Sequence, residues 1–305
     1  MPLYDVIIIG GGGAGLTAAI YTSRAMLSTL LLEKLTPGGQ IALTDVVENY
    51  PGFPEGITGP EISQRMEEQA KRYGTTVQYQ EVKSVAKKNG IFEIQGTEES
   101  FQARSLILAA GASFRMLGVP GEKELTGKGV SYCATCDGAF FKEKEIVVVG
   151  GGDSALQEGL FLTRFASKLT VIHRRDKLRA SPILQERAKN HPKISFIWDT
   201  VVQKVYGLKK VEGLALQNVK SQQLKDFPVD GFFVFIGHDP NTSFLKGFIG
   251  LDEKGYVKAG QSLETSVPGV FAAGEIRAGA IKQLVSACGE GCEAALAAQD
   301  YLEHL

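Results

Sequence analysis

The sequence predicts an α/β fold of two Rossmann-like parallel-sheet units, the second inserted into the first. Three observations lead there. Two glycine-rich turns, residues 10–15 and 150–155, stand 140 residues apart in a chain of 305. Each follows an apolar strand-like run and precedes a helix-like run and a second strand, the order of a strand–turn–helix–strand unit. A tail from residue 244 carries one more strand-like run and a last helix. Because it begins where the second unit ends, it is assigned back to the first. The expected division is 1–113 with 244–305, and 114–243 between them.

In the first unit, residues 5–9 read as a buried strand, 16–26 as a helix and 29–33 as a second strand. Gly10, Gly12 and Gly15 stand in G-x-G-x-x-G register with Gly13 and Ala14 between them, and Glu33 lies 18 residues beyond Gly15. The first glycine permits a tight turn, the second lets backbone approach a pyrophosphate, and the third lets helix and strand pack closely. The helix N-terminus offers N–H donors and partial positive charge, and Glu33 can accept from a ribose hydroxyl. Such a turn alone is a weak signal; the flanking elements and the acid make it a dinucleotide site. Residues 36–50, TPGGQIALTDVVENY, form a long polar loop, a type that commonly carries function. A helix follows to Gly74 with Pro60 in its first turn. Strands are expected at 76–79, 91–94 and 105–109, the last closed by Ala110 and Gly111. Residues 113–124 read as a link.

The second unit repeats the pattern: strand 145–149, turn, helix to about 166, strand 168–172. Its turn holds Gly150, Gly152, Asp153, Ser154 and Ala155, the alanine standing in the third glycine position. Where the first unit has its acid, this one has His173, Arg174 and Arg175, with Arg179 one helical turn on. An acid would repel a 2′-phosphate, whereas guanidinium groups bind one through charge-assisted, often bidentate hydrogen bonds. The expected nucleotide is therefore NADPH rather than NADH. The alternative, a solvated basic turn, is weakened by the placement 22 to 23 residues after Gly152. Further strands are expected near 194–198 and 213–219, and Pro240 marks the return crossing.

Ahead of the second turn stands SYCATCDG, with Cys133, Cys136 and Asp137, and fourteen residues separate Cys136 from Gly151. A thiol pair beside a dinucleotide turn points to redox chemistry, and Asp137 can move a proton for it. A zinc site needs about four ligands. The other two cysteines, Cys288 and Cys292, belong to the tail, four apart on a helix from about residue 281, and read as core. Trp198 also reads as core. The four histidines form no ligand spacing.

Composition agrees with an ordinary globular protein: 44% hydrophobic and 22% charged residues with a net charge of −1. It gives no electrostatic argument for nucleic acid or an anionic membrane. The start, MPLYDVIIIGGGG, lacks the basic region of a signal peptide, and no window reaches the roughly 20 apolar residues of a membrane span. With so few cysteines a catalytic pair in a reducing compartment is expected, hence a cytoplasmic protein.

The segments GGGGAG, PGGQI, VENYPGFPEGITG, CATCDG, GGGDSA, HRRD, FVFIGHDPN and TSVPGVFAAGE occur in that order along essentially the whole chain. By them the sequence resembles the low-molecular-weight, bacterial-type thioredoxin reductases. The resemblance implies FAD in the first unit, its pyrophosphate on residues 10–15 and its adenosine ribose near Glu33. Gly39, Gln40, Asn49, Ala110 and Gly111 would surround it, Gly274 and Glu275 would lie near the ribityl chain, and Lys282 and Gln283 near the flavin ring. Cys136 would face the flavin, Cys133 would attack the client disulfide, and Asp137 would serve as acid–base group. It further implies NADPH in the second unit, thioredoxin as client, a homodimer, and a swivel of the inserted unit on crossings near 113–118 and 239–244. The same relay could serve another dithiol client: a glutaredoxin-like protein, a peroxiredoxin partner or a small-molecule disulfide. Ferredoxin–NADP reductases of similar build lack the cysteine pair. Departures from the common pattern are Glu275 for Asp, Lys282 for Arg, Ala110 for Thr, and the looser run Gln157-Glu158-Gly159. None removes a chemical role.

Overall fold

A computed structural model describes residues 1–44, 46–47 and 49–305, with Leu43 described by its backbone alone. Among the described residues the α-helices are α1 Gly13–Arg24, α2 Gly59–Arg72, α3 Ala134–Asp137, α4 Asp153–Leu162, α5 Pro182–Lys189 and α6 Leu284–Glu303. The chain divides into two units, Met1–Ser113 with Asp239–Leu305, and Phe114–His238. The return crossing thus falls five residues before the boundary expected at 243/244.

In the first unit the continuous apolar runs become central parallel strands because the sheet is covered on both faces. Leu3–Ile9 pairs in parallel with Thr29–Glu33 on one side and Ser100–Leu108 on the other, and Thr76–Tyr79 extends the sheet beyond Thr29–Glu33. Val270–Ala272, from the tail, joins the end of Ser100–Leu108, so the tail completes the first unit's sheet. Successive residues alternate faces. Val6 and Ile8 therefore pack with α1 and α6, and Ile7 and Ile9 with Phe92, Phe101 and Val270.

The strand Val82–Lys88, paired antiparallel with Ile91–Gly96, has no counterpart in the sequence expectation. Its VKSVAKK pattern buries only Val82 and Val85, too little apolar signal to stand out. Residues 36–50 are not one long loop either. They hold a 3₁₀ turn, Gly39–Leu43, and the short strand Val46–Val47 paired with Ile57–Thr58; Asp45 and Glu48 lie outside the described residues.

In the second unit Val130–Ser131, Gly231–Val234, Glu145–Val149, Lys168–Ile172 and Ile194–Ile197 form a wholly parallel sheet in that order. An antiparallel sheet of Thr200–Tyr206, Gly213–Asn218 and Leu224–Pro228 stands beside it in the chain. Its first and third strands also escape the sequence reading. Residues 113–124, read as a link, cross the unit boundary at 113/114 and are held in place around Glu122. The Glu122 carboxylate, fully buried, accepts the backbone N–H groups of Leu117, Gly118 and Val119 and the hydroxyl of Tyr132. Trp198 is half-buried rather than core, stacked on Phe196 at 5.0 Å.

Candidate active site

The first turn is built as its glycines require. Gly10 adopts φ +108°, and a Cβ there would lie 2.4 Å from the Ala109 carbonyl oxygen. A Cβ on Gly15 would lie 1.8 Å from the Gly10 carbonyl oxygen, so helix and strand touch backbone to backbone. Helix α1 begins inside the turn at Gly13, earlier than expected, with Gly12 as an N-cap that supplies no side-chain bond. Its first-turn N–H groups, including those of Ala14 and Gly15, have no intrahelical acceptor. The helix stops at Arg24 rather than 26, because Met26 takes φ +62°. At the end of the next strand, the Glu33 carboxylate sits over this turn and accepts N–H groups from Gly11 at 2.7 Å and Leu35 at 2.9 Å. Each oxygen keeps a further lone pair for a hydroxyl.

The fold brings other expected residues to this end of the sheet. Asn49 donates from Nδ2 to Oε1 of Gln283 at 3.0 Å, joining positions 234 residues apart. Gly39 and Gln40 open the 3₁₀ turn, and the Gly38 N–H before them bonds the Gly11 carbonyl at 2.7 Å. Ala110 and Gly111 follow the strand Ser100–Leu108; the Ala110 carbonyl accepts from the Asn241 side chain at 2.8 Å. Gly274 and Glu275 begin a 3₁₀ turn after Val270–Ala272, and Lys282 is exposed just before α6. Helix α6 starts at Leu284, three residues later than expected. Among the described residues, Glu275 Oε2 is the buried side-chain polar atom with no hydrogen-bond partner. Burial pushes the Glu275 carboxyl up, opposed in part by Lys282.

Glu290 lacks any local sequence signal, whereas Cys288 takes the core place expected of it. Glu290, buried on α6, accepts the Gly274 N–H at 2.7 Å and the Arg277 Nε at 2.8 Å, with a second bond to Arg277 Nη2 at 2.5 Å. This pair fixes the 274–277 turn. Cys288 is buried, its Sγ 3.7 Å from the Gly13 carbonyl oxygen, while Cys292 is half-buried; both remain thiols. Burial pushes the Cys288 thiol up, which suits packing rather than reactivity.

In the second unit, Cys133 and Cys136 form a disulfide. Both are partly exposed, with Cys133 as N-cap of α3 and its Sγ accepting the Cys136 N–H at 3.2 Å. Asp137 accepts the Ser131 hydroxyl at 2.6 Å, and Ser131 Oγ takes the Cys133 N–H at 3.1 Å. Ser131 therefore ties the acid to the first cysteine, a role a lone serine does not advertise in sequence.

The second turn mirrors the first. Gly150 has φ +153°, Gly152 is the N-cap of α4, and Asp153 and Ser154 are exposed in its first turn, with Ala155 buried. Beyond the next strand, Arg174, Arg175 and Arg179 are exposed, whereas His173 is buried with Nε2 3.1 Å from the Lys177 carbonyl oxygen. Burial, then the three arginines, hold its imidazole below the usual range, while the Lys177 carbonyl acts the other way.

The profile of the pyridine nucleotide-disulphide oxidoreductases matches residues 4–291. The chain is 50% identical over 304 residues to the thioredoxin reductase of Bacillus subtilis, covering 99% of this chain and 96% of that one. It is 48% identical over 307 residues to that of Listeria monocytogenes, at 99% and 95% coverage. The crystal structure of thioredoxin reductase from Streptococcus pyogenes superposes with a TM-score of 0.95 at 42% identity, over 99% of each chain. Among the described residues no helix is long and apolar enough to cross a membrane. With the Cys133–Cys136 disulfide in place, these matches show that the chain belongs to the pyridine nucleotide-disulphide oxidoreductase family, among its low-molecular-weight thioredoxin reductases.

Proposed function

We propose that this thioredoxin reductase takes electrons from NADPH, holds FAD in the unit 1–113 with 239–305, and reduces thioredoxin through Cys133 and Cys136. NADPH, a proton and the thioredoxin disulfide become NADP⁺ and the thioredoxin dithiol. The Cys133–Cys136 disulfide carries the reading, with the Cys136 N–H donating to Cys133 Sγ. A donor on that sulfur stabilises a thiolate there once the pair is reduced, and the thiolate is the attacking species in exchange. Cys133 would then form the mixed disulfide and Cys136 resolve it, while Asp137, oriented by Ser131, exchanges the proton.

Residues of the first unit fit FAD. The unsatisfied Glu275 Oε2 is an acceptor that a ribityl hydroxyl would fill, and the N–H groups at the start of α1 suit a pyrophosphate. Glu33, Asn49 and Gln283 would complete the pocket. When bound, FAD would accept hydride from NADPH and supply two electrons to the disulfide. In the second unit the backbone N–H groups of the Gly150–Ala155 turn would hold the NADPH pyrophosphate, and Arg174, Arg175 and Arg179 the 2′-phosphate. The relay also calls for the inserted unit to turn on its two crossings, and the enzyme would act as a homodimer, as the family resemblance implies.

The test is NADPH-driven reduction of thioredoxin. Cys133→Ser and Cys136→Ser are each expected to abolish it, while NADPH still bleaches the flavin in both. Thioredoxin reduction surviving in either variant would remove the disulfide from the path.

A further inference from the structure

The loop that carries the arginines is tied to the second glycine turn at three points. The Gly151 carbonyl accepts the N–H groups of Arg179 at 2.6 Å and Ala180 at 3.1 Å. The Asp153 carboxylate accepts the Ser181 N–H at 2.6 Å. From the other side the His173 ring occupies the space that a Gly151 side chain would need, since a Cβ there would fall 2.3 Å from Cε1. Two of the ties thus use the backbone of a residue that tolerates no side chain. Asp153 supplies the side-chain tie. Ser181 is the N-cap of α5 and makes no side-chain cap bond, so the position of this helix start relative to the turn is set through its backbone N–H.

We propose that Asp153 is a positioning residue for nucleotide specificity, holding the arginine loop at the glycine turn so that pyrophosphate and 2′-phosphate of one nucleotide are met together. The inference rests on the NADPH reading of this unit and deepens it. It gives the Asp153 side chain, expected from the sequence only as a member of the nucleotide turn, a specific role toward the arginine loop. A carboxylate is a poor partner for phosphate, whereas as an acceptor of a backbone N–H it orders the loop whose guanidinium groups are the phosphate's partners. Only ligands bearing the 2′-phosphate draw on that loop. A loss of fold or of the pyrophosphate turn would weaken every nucleotide alike.

The experiment is titration calorimetry of the oxidised, FAD-loaded full-length enzyme with NADP⁺, 2′,5′-ADP and NAD⁺, on wild type, Asp153→Ala and Asp153→Asn. In D153A, NADP⁺ and 2′,5′-ADP are expected to bind about tenfold more weakly, the scale of one charge-assisted hydrogen bond, with NAD⁺ within about twofold of wild type. D153N keeps an Oδ1 acceptor and is expected to restore most of the loss. Flavin absorbance and melting temperature, read on the same samples, are expected to match wild type. Equal weakening of NADP⁺ and NAD⁺ in D153A, no weakening of either, or D153N as weak as D153A would overturn the proposal. Wild type binding NADP⁺ no tighter than NAD⁺ would instead overturn the NADPH reading, and this inference with it.

Discussion

Glu275 shows how much one carboxylate says about what the first unit holds. Its Oε2 is buried without a partner, and burial raises its proton affinity. A carboxyl whose folded pKa lies above its unfolded value contributes stability at low pH, and that contribution is lost as pH rises through the folded pKa. The flavin-free protein is therefore expected to lose stability from this group as pH climbs out of the ordinary carboxylate range. Glu275→Gln, which cannot ionise, should melt above wild-type apoprotein at pH 8, with the gap closing towards pH 4; scanning calorimetry of the two apoproteins reads this. In the holoprotein the acceptor is expected to be occupied, so Glu275→Ala should release FAD at least about tenfold more readily, by equilibrium dialysis. An apoprotein gap that widens at low pH would contradict the direction of the shift. At this scale sequence is legible where the chemistry is local. Cys133, Cys136 and Asp137 lie within five residues, whereas Glu290 and Gly274, or Glu122 and Tyr132, meet only through the fold.

Helices α1 and α6 cross at the start of the first turn, and small residues set how close they come. A Cβ on Gly291 would lie 2.2 Å from the Ala14 carbonyl oxygen, a backbone atom of α1 that cannot step aside alone. Gly289, two residues earlier on α6, has nothing within 4 Å of where its Cβ would stand. The pair makes a controlled test. Gly291→Ala forces the helices apart and should cost about 1–3 kcal/mol, with a weaker hold on FAD expected because Ala14 lies in the turn proposed to hold its pyrophosphate. Gly289→Ala adds helix propensity at no steric cost and should stabilise by about 0.5–1 kcal/mol. Urea unfolding of both variants decides it; equal effects would mean that the close approach does not govern this interface. The same contrast explains what sequence shows of the elements. Strands buried on both faces, such as EIVVV at Glu145–Val149, stand out, as does a glycine turn. Leu224–Pro228, with one partly buried residue among five, is a strand only because Gly213–Asn218 offers it hydrogen bonds. No periodicity within LKDFP announces that.

On the scale of the molecule, insertion of one unit into another is visible in sequence through the repeated turn and the tail that completes the first sheet. Its consequence for folding is physical. The segment Phe114–His238 is continuous, and it holds its own parallel sheet with buried clusters on both faces, around Val148 and Phe233 on one and Val147 and Phe232 on the other. Its two ends meet: the rings of Phe114 and His238 lie 4.9 Å apart. The other unit is also left with adjacent ends, since the Asn241 N–H bonds the Gly111 carbonyl at 3.0 Å and Ser113 Oγ donates to Asn241 Oδ1 at 3.0 Å. A continuous segment of that size with a complete core and neighbouring termini can fold alone. Residues 114–238 expressed by themselves are therefore expected to melt cooperatively, to close the Cys133–Cys136 disulfide and to bind 2′,5′-ADP while carrying no flavin. The complement, Ser113 joined to Asp239 through two glycines, is expected to bind FAD and purify yellow. Circular dichroism and flavin absorbance of the two pieces read both outcomes. A disordered 114–238 fragment would mean that its sheet needs the flanking segments to form, and that the two sets of buried residues do not act as separate cores.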